Sequence, residues 1–407
     1  MKLDSKILNI LSENYGNAFY LLDSEAFKRN CQEIRAAFRV YYQKFNFAYS
    51  YKTNYIPTLA KIVDSLGGYA EVVSEMEMEV ALRSGVDPRH IIWNGPIKNK
   101  GKVQELLLTG GTVNIDSIYE IENIRQVAAS HLDRMLFVGV RCNYDIGDGV
   151  LSRFGFDIYG DDFHKVMTFI SETPNLKLIN LQAHFAKRNP TYWTARAEEM
   201  LKIYDRVVSE YRLKPERLDI GGGIYGKMPV NLCNQLGIKK TCYDDYASRV
   251  GKVFANHFNG EENAPTLFIE PGSALAGDCM KFVTRVETVK TVRGKSIATV
   301  MGSQKNISMA GLNPPIEIVF CSEKQQVYDD LDIAGFTCIE SDFLYKNYKG
   351  KLGIGDYVII SNCGSYSIVM KPPFILPNFP ILDICDGEVK LIKHQEYFDD
   401  IFHTFCF

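Results

Sequence analysis

No apolar run in this chain is long enough to cross a bilayer, and Met1-Lys2-Leu3-Asp4-Ser5-Lys6 lacks the basic-then-apolar layout of a signal peptide. A basic excess is missing too. The 46 Lys and Arg stand against 49 Asp and Glu, a net charge of −3, which argues against nucleic acid or an anionic membrane as partner. The ten cysteines, scattered from Cys31 to Cys406, include no Cys-x-x-Cys pair and no zinc-type Cys/His spacing. In so long a chain that pattern predicts reduced, mostly buried thiols, no metal centre and a cytoplasmic setting. Repeats of solenoid length and low-complexity tracts are absent.

What remains is an ordinary globular composition, 46% hydrophobic and 23% charged, over 407 residues, more than one core usually organises. Two domains are expected. Apolar segments recur at 46–50, 68–73, 90–93, 112–115, 135–141, 177–184, 217–220 and 266–270, with helix-patterned stretches between them. Alternation of this kind, over a span close to the roughly 250 residues of that architecture, predicts an α/β fold of the (β/α)8 TIM-barrel type. An open, doubly wound sheet is the alternative, because alternation alone does not establish closure. From about residue 276 short β-type segments take over, at 281–291, 296–300, 316–320, 337–340, 357–361, 381–385 and 389–393. The expected division is therefore a segment 1–40, a barrel 41–275 and a β-rich domain 276–407. The apolar run at 18–22 precedes the barrel and is a candidate partner for that β domain.

In a TIM barrel the chemistry sits where the strands end. The first run, Phe47-Ala-Tyr-Ser-Tyr-Lys52-Thr-Asn54, ends in a lone lysine at the edge of a low-dielectric interior. Such a site favours the neutral amine that attacks an aldehyde, although a single strand-end lysine more often reaches out to water. The later runs end in Glu71 and Ser74, Asn94, Asp116, Arg141 and Asn143, His184, Gly221-Gly222-Gly223 and Glu270-Pro271-Gly272. Three glycines leave backbone N–H groups open to an anion such as phosphate; alone they read as a flexible loop. His184 by itself reads as a core histidine and Glu270 as a loop cap. Together, a lysine for an aldehyde, amides for a phosphate, an imidazole for a ring and a carboxylate for a pyridinium proton are the parts of a pyridoxal-phosphate site.

These residues resemble the fold-type III pyridoxal-phosphate decarboxylases, the group of diaminopimelate and ornithine decarboxylases, with alanine racemase as a more distant relative. The resemblance runs from about Ala18 to Met370. It implies a TIM barrel with a C-terminal all-β domain, the alanine-racemase-like architecture, in a head-to-tail homodimer with active sites at the interface. Tyr49-Ser-Tyr-Lys52-Thr-Asn54 is similar to the family's Tyr-Ala-x-Lys-Ala-Asn, which implies that Lys52 is the Schiff-base lysine. Glu71-Val-Val-Ser74-Glu-Met-Glu77 resembles Asp-x-x-Ser-x-x-Glu, and Ser152-Arg-Phe-Gly155 resembles Ser-Lys-Phe-Gly. The resemblance makes His184 the ring-stacking histidine and Asp219-Ile-Gly221-Gly222-Gly223 the phosphate loop. It pairs Glu270 with the pyridine nitrogen and brings Gly272 to the phosphate. Cys338-Ile-Glu340-Ser-Asp342 resembles Cys-x-x-x-Asp, which implies a proton-donating thiol, and Gly364-Ser-Tyr366 resembles Gly-Ala-Tyr, whose tyrosine holds the phosphate.

Departures from the family pattern fall elsewhere. Ser273 stands where the family has arginine. Gln182-Ala-His184-Phe-Ala-Lys187 replaces His-x-His-Ile-Gly-Ser, and Ile339 replaces an acidic residue, with Glu340 one place later. Lys187 and Arg188 are candidates to replace the lost phosphate contacts, and Ser273, Glu340 and Asp342 to meet the substrate. The implied activity is loss of the α-carboxylate from an amino acid or amino-acid conjugate, with a substrate other than free diaminopimelate, such as a carboxylated polyamine or a biosynthetic conjugate. A racemase would need a second acid/base on the opposite cofactor face, and no racemase-type tyrosine motif is seen. A non-catalytic cofactor-binding relative would explain Ser273 and Ala186-Lys187 but not the retention of Lys52, His184, Glu270, Cys338 and Tyr366.

Overall fold

The computed structural model describes residues 3–385 and 387–406. The chain divides into two units: one of 28–225 with 241–274, the other of 1–27, 226–240 and 275–407. The first strand, β1 (Ala18–Leu22), belongs to the second of these.

The first unit is a closed barrel. Its strands are β2 (Phe45–Ser50), β3 (Tyr69–Val72), β4 (Ile91–Trp93), β5 (Thr112–Ile115) and β6 (Leu136–Asn143). A two-residue β7 (Phe156–Asp157) lies beside β6, and β8 (Leu176–Gln182), β9 (Arg217–Asp219) and β10 (Thr266–Ile269) complete the set. All eight main strands pair in parallel in chain order, and closure comes from β10 on β2, with Leu267 opposite Phe45 and Ile269 opposite Phe47. The eight expected apolar segments coincide with these strands to within two residues, and the ring rules out the open sheet. Both faces of a barrel strand are covered, so each reads as a short uninterrupted apolar run.

Helix capping shapes the turns at the strand ends. After β3, Ser74 Oγ accepts from Glu77 N at 3.2 Å, and Glu77 Oε2 accepts from Val73 N at 2.8 Å. After β5 the pattern repeats, with Glu120 Oε1 accepting from the Asp116 and Ser117 amides at 2.7 and 3.2 Å. A Ser-x-x-Glu capping box satisfies amide donors that a helix start leaves open. Ser74 and Glu77 thus serve the backbone, and Glu71 is left to face the barrel mouth.

The second unit is β-rich, as expected. Its long strand β11 (Met280–Val292) pairs antiparallel with β1 early and with β12 (Lys295–Val300) later, after an irregularity at Val286/Thr288. Next come β13 (Ile316–Val319), β14 (Gln326–Ala334), β15 (Phe343–Leu352), β16 (Tyr357–Ile360), β17 (Ile381–Cys385) and β18 (Glu388–Lys393). β1 lies between β11 and β17, and Leu3, Leu8, Leu11, Phe19, Leu21, Val283, Tyr357, Ile359 and Leu382 form one buried cluster.

One expected strand is corrected. Residues 337–340 form the turn joining β14 to β15, two strands that the apolar pattern does not show. The cause is Asp342. Its carboxylate accepts from Ser303 Oγ (2.9 Å), Gln304 N (2.8 Å) and Thr337 Oγ1 (2.5 Å), and its amide bonds Ile339 O at 2.9 Å, which folds the segment back on itself.

Candidate active site

Six of the strand-end groups named from the sequence lie at one end of the barrel, on strands that neighbour one another in the ring β8–β9–β10–β2–β3–β4. Lys52 sits in a 3-10 turn, Tyr51–Thr53, directly after β2. Its Nζ meets Glu71 Oε2 at 2.8 Å, with the Lys52 side chain 34% exposed and Glu71 1% exposed. The amine is therefore anchored by a buried carboxylate yet open to a ligand.

Glu71 and Glu270 are joined by Asn94. The Asn94 side-chain amide donates to Glu71 Oε1 at 3.1 Å and to Glu270 Oε1, spending both of its N–H groups. Asn94 Oδ1 accepts from Asn114 Nδ2 at 2.5 Å, and Asn114 Oδ1 accepts from Asn180 Nδ2 at 3.2 Å. Gln182 Nε2 gives Glu270 Oε1 a further donor at 3.1 Å, and Ser50 Oγ donates to Glu71. Gly139 makes room for this row, since a Cβ there would strike Asn114 Oδ1. Asn114 and Asn180 are not evident from the sequence because they lie within strands; the one signal is a polar residue on the inward face of an apolar run.

Glu270 and Asp219 are both buried, and charge on one disfavours charge on the other. Burial raises the Asp219 carboxyl far above the usual range, and the Glu270 charge raises it further. Burial acts on Glu270 in the same sense, but the positive charges of Lys52 and Arg141 oppose it, and its pKa is held down. The anion is on Glu270. His184, at Nδ1–Oε2 3.6 Å, is too far to hydrogen-bond it. Its Nδ1 instead accepts from Gly222 N at 3.1 Å, which places the ring proton on Nε2, and burial lowers its pKa. His184 is thus a neutral plate whose side chain is 31% exposed.

Gly221 and Gly222 pack too closely for any side chain. A Cβ would lie 2.3 Å from Ala183 O at Gly221, which also has φ +74°, and 2.4 Å from Glu270 O at Gly222. At Gly272 it would lie 2.0 Å from Thr53 Oγ1. The glycines let the loop backbone pack against the neighbouring strand ends, where Gly221 N donates to Asp219 Oδ1 at 2.9 Å and Gly222 N to His184 Nδ1 at 3.1 Å. Ser273 comes next in the chain, partly exposed. Arg141 Nη1 lies 3.6 Å from Asp116 Oδ1, and Asp116 also accepts from Gly155 N at 3.2 Å. Lys187 is exposed and Arg188 half-buried.

The remaining candidates belong to the β-rich unit. Cys338 and Glu340 are exposed on the 335–342 turn, whereas Asp342 is 3% exposed and its oxygens are occupied by the turn itself. Tyr366 has φ +60°, unusual for a bulky residue, and lies two residues after Gly364, where a Cβ would strike Ala276 O.

An amine, a buried carboxylate, an imidazole and a glycine loop gathered at a TIM-barrel mouth suit a phosphorylated aldehyde cofactor with a basic ring nitrogen. The donor set and the close glycine packing fit pyridoxal phosphate. Residues 25–277 match the pyridoxal-binding domain of the pyridoxal-dependent decarboxylases, and the chain belongs to that family. It is a pyridoxal-phosphate-dependent carboxy-lyase. It is 24% identical over 410 residues to diaminopimelate decarboxylase of Methanothermobacter thermautotrophicus, an alignment covering 96% of this chain and 92% of that one. It is 25% identical to the enzyme of the same name from Neisseria meningitidis serogroup B, covering 95% and 92%. The fold matches the crystal structure of diaminopimelate decarboxylase from M. jannaschii with a TM-score of 0.86 at 20% identity, covering 98% and 94% of the two chains. Arginine decarboxylase of Paramecium bursaria Chlorella virus superposes with a TM-score of 0.73 at 18% identity, over 94% of this chain and all of that one.

Proposed function

We propose that this enzyme removes the α-carboxylate of an amino acid or amino-acid conjugate whose far end differs from that of diaminopimelate. The observation that carries the reading is Glu270, a buried carboxylate at the barrel mouth that accepts from Asn94 and Gln182 and whose pKa is held down. Bound pyridoxal phosphate supplies the electron sink for the pair released when the Cα–carboxylate bond breaks. Lys52 would be the amine that anchors the cofactor's aldehyde and gives way to the substrate amine. Glu270 would keep a proton on the ring nitrogen, His184 would cover the ring, and Gly221, Gly222, Gly223, Gly272 and Tyr366 would hold the phosphate. The Cys338 thiol then gives a proton to Cα, and Ser273, Glu340 and Asp342 belong to the substrate end.

The far end of the substrate is inferred from neighbours of the same fold. One related structure is complexed with L-lysine and another with agmatine, so the fold takes carbon chains that end in a cation. The exposed Glu340 suits such a cation, and Ser273 and Ile339 suit a substrate other than the relatives' own. We also infer a homodimer in which Cys338 serves the partner's barrel, and a cytoplasmic setting consistent with ten free thiols.

The deciding measurement is CO2 release by purified, cofactor-loaded protein from basic, acidic and conjugated amino acids. One candidate should give CO2 and the matching amine, and Lys52→Ala should abolish both the visible cofactor absorbance and turnover. Inversion at Cα without CO2 would replace this reading with a racemase. Mixing inactive Lys52→Ala and Cys338→Ala proteins should restore activity; no recovery would sink the shared-site dimer.

A further inference from the structure

Arg196, in the first turn of the helix Trp193–Tyr211, is completely buried, and no carboxylate pairs with it among the described residues. Arginine stays charged in proteins, so a buried one with no carboxylate in contact, and Asp148 acting only from farther off, is a cost the fold must recover elsewhere. Its guanidinium lies between the rings of Phe185 and Trp193, 4.9 and 4.6 Å from their centroids. Nη1 donates to Gly222 O at 2.7 Å and Nη2 donates to Lys187 O, while Nε is buried with no partner. Both carbonyls flank the mouth: one in the glycine loop, the other two residues past Phe185.

The two hydrogen bonds have a directional consequence. In a trans peptide the C=O and N–H point opposite ways, so the carbonyls taken by Arg196 belong to the peptides that carry the Gly223 and Arg188 amides. Pulling both carbonyls inward turns those two N–H groups outward and polarises them. Neither has an acceptor among the described residues. Gly223 is half-buried with φ +92°, and a Cβ there would sit 3.7 Å from Arg196 Nη2, so the cation lies directly behind the loop. Tyr246 Oη braces the same arrangement, accepting from Tyr225 N at 3.3 Å and donating to Arg188 O at 3.0 Å.

We propose that Arg196 is the positioning residue and buried counter-charge of the cofactor's phosphate: from behind the loop it orients the Gly223 and Arg188 amides and supplies the positive charge that Ser273 does not. This deepens the cofactor reading of the site and rests on it. A dianion on the outer face gives the unpaired guanidinium its missing opposite charge across one peptide layer. Ala186-Lys187 can then depart from the family's Gly-Ser, because the Lys187 position contributes a carbonyl to Arg196 and needs no side chain at the phosphate.

The test compares two aldehydes that differ only in the phosphate. Cofactor-free wild type, Arg196→Met and Arg196→Lys are titrated with pyridoxal 5′-phosphate and with pyridoxal, reading the visible absorbance, and with inorganic phosphate as competitor. Arg196→Met should lose roughly ten- to a hundredfold in affinity for pyridoxal phosphate, as expected for losing charge-assisted bonds, while pyridoxal binds as before. Arg196→Lys keeps the charge but cannot bridge two carbonyls, and should fall between the two. Equal loss of both aldehydes would make Arg196 merely structural and overturn the proposal, as would unchanged discrimination. Should Arg196→Met fail to fold, Arg196→Lys decides by the same ratio. Wild type that binds neither aldehyde would instead defeat the cofactor reading itself.

Discussion

At the barrel mouth, Glu71 and Glu270 are buried carboxylates whose oxygens accept from Ser50, Lys52, Asn94 and Gln182. On the turn between β14 and β15, Cys338 and Glu340 project from the surface, and only the backbone beneath them is fixed, by Asp342. In the first region the functional groups are themselves the structural network. In the second, one buried carboxylate holds a frame and the exposed side chains on it can change freely. A low-dielectric network strengthens every bond within it and makes each lost partner costly. A change at the mouth, such as one at Glu71 or Gln182, must therefore keep the network's bonds, whereas the exposed Ile339 on the turn carries no such demand.

The comparison breaks first at Glu270. Glu270→Gln removes the anion, keeps the shape, and should lower kcat roughly 10²–10³-fold with cofactor still bound, the scale seen when one preorganised electrostatic group is deleted. Cys338→Ala should lower kcat roughly a hundredfold and scramble the proton placed on Cα, with an unchanged melting temperature. If the melting temperature falls, the turn is part of a network after all. Asn94→Leu leaves two buried carboxylates short of a donor and should cost about 3 kcal/mol in chemical denaturation. Combined with Asn114→Leu it should be clearly non-additive, because the two amides share a bond. Asp342→Asn points an amide at the donors from Ser303, Gln304 and Thr337 and should cost about 2 kcal/mol, with turnover falling alongside as the thiol loses its frame.

The sequence shows the barrel well because each of its strands is covered on both faces and ends in a turn. It shows the β14–β15 pair badly. Gln326–Ala334 carries Asp329, Asp330 and Asp332, and Phe343–Leu352 carries Lys346, Lys349 and Lys351. Neither strand has an apolar run, and what stabilises them lies on other strands, such as Lys295 Nζ on Asp330 and Asp332 at 2.5 and 3.1 Å. Pairing of that kind is tertiary and leaves no local pattern. Lys52, His184 and Glu270 were legible as polar residues at strand ends. Arg196 was not, because an arginine near a helix start ordinarily faces water, and only the packed rings of Phe185 and Trp193 show that this one does not.

The smallest effect concerns Glu77, which links the capping of one helix to the mouth. Burial raises its pKa, the Val73 amide opposes that, and the Glu71 charge adds to it, giving a value of about 7 against 4.5 for the free side chain. Between these values the folded protein binds a proton that the unfolded chain has released. Stability should therefore fall as pH rises from about 4.5 to 7, by about 1 kcal/mol once partial relaxation is allowed for, and level off above. Glu77→Gln can still accept from Val73 N, so it should remove this slope without removing the cap. Urea denaturation at intervals of pH would show it as a curve that stays flat across the window. A wild-type curve that stays flat there would mean that Glu77 is ionised beside Glu71 throughout the window, and that Lys52, the cation both carboxylates feel, dominates more of the barrel mouth than its pairing with Glu71 shows.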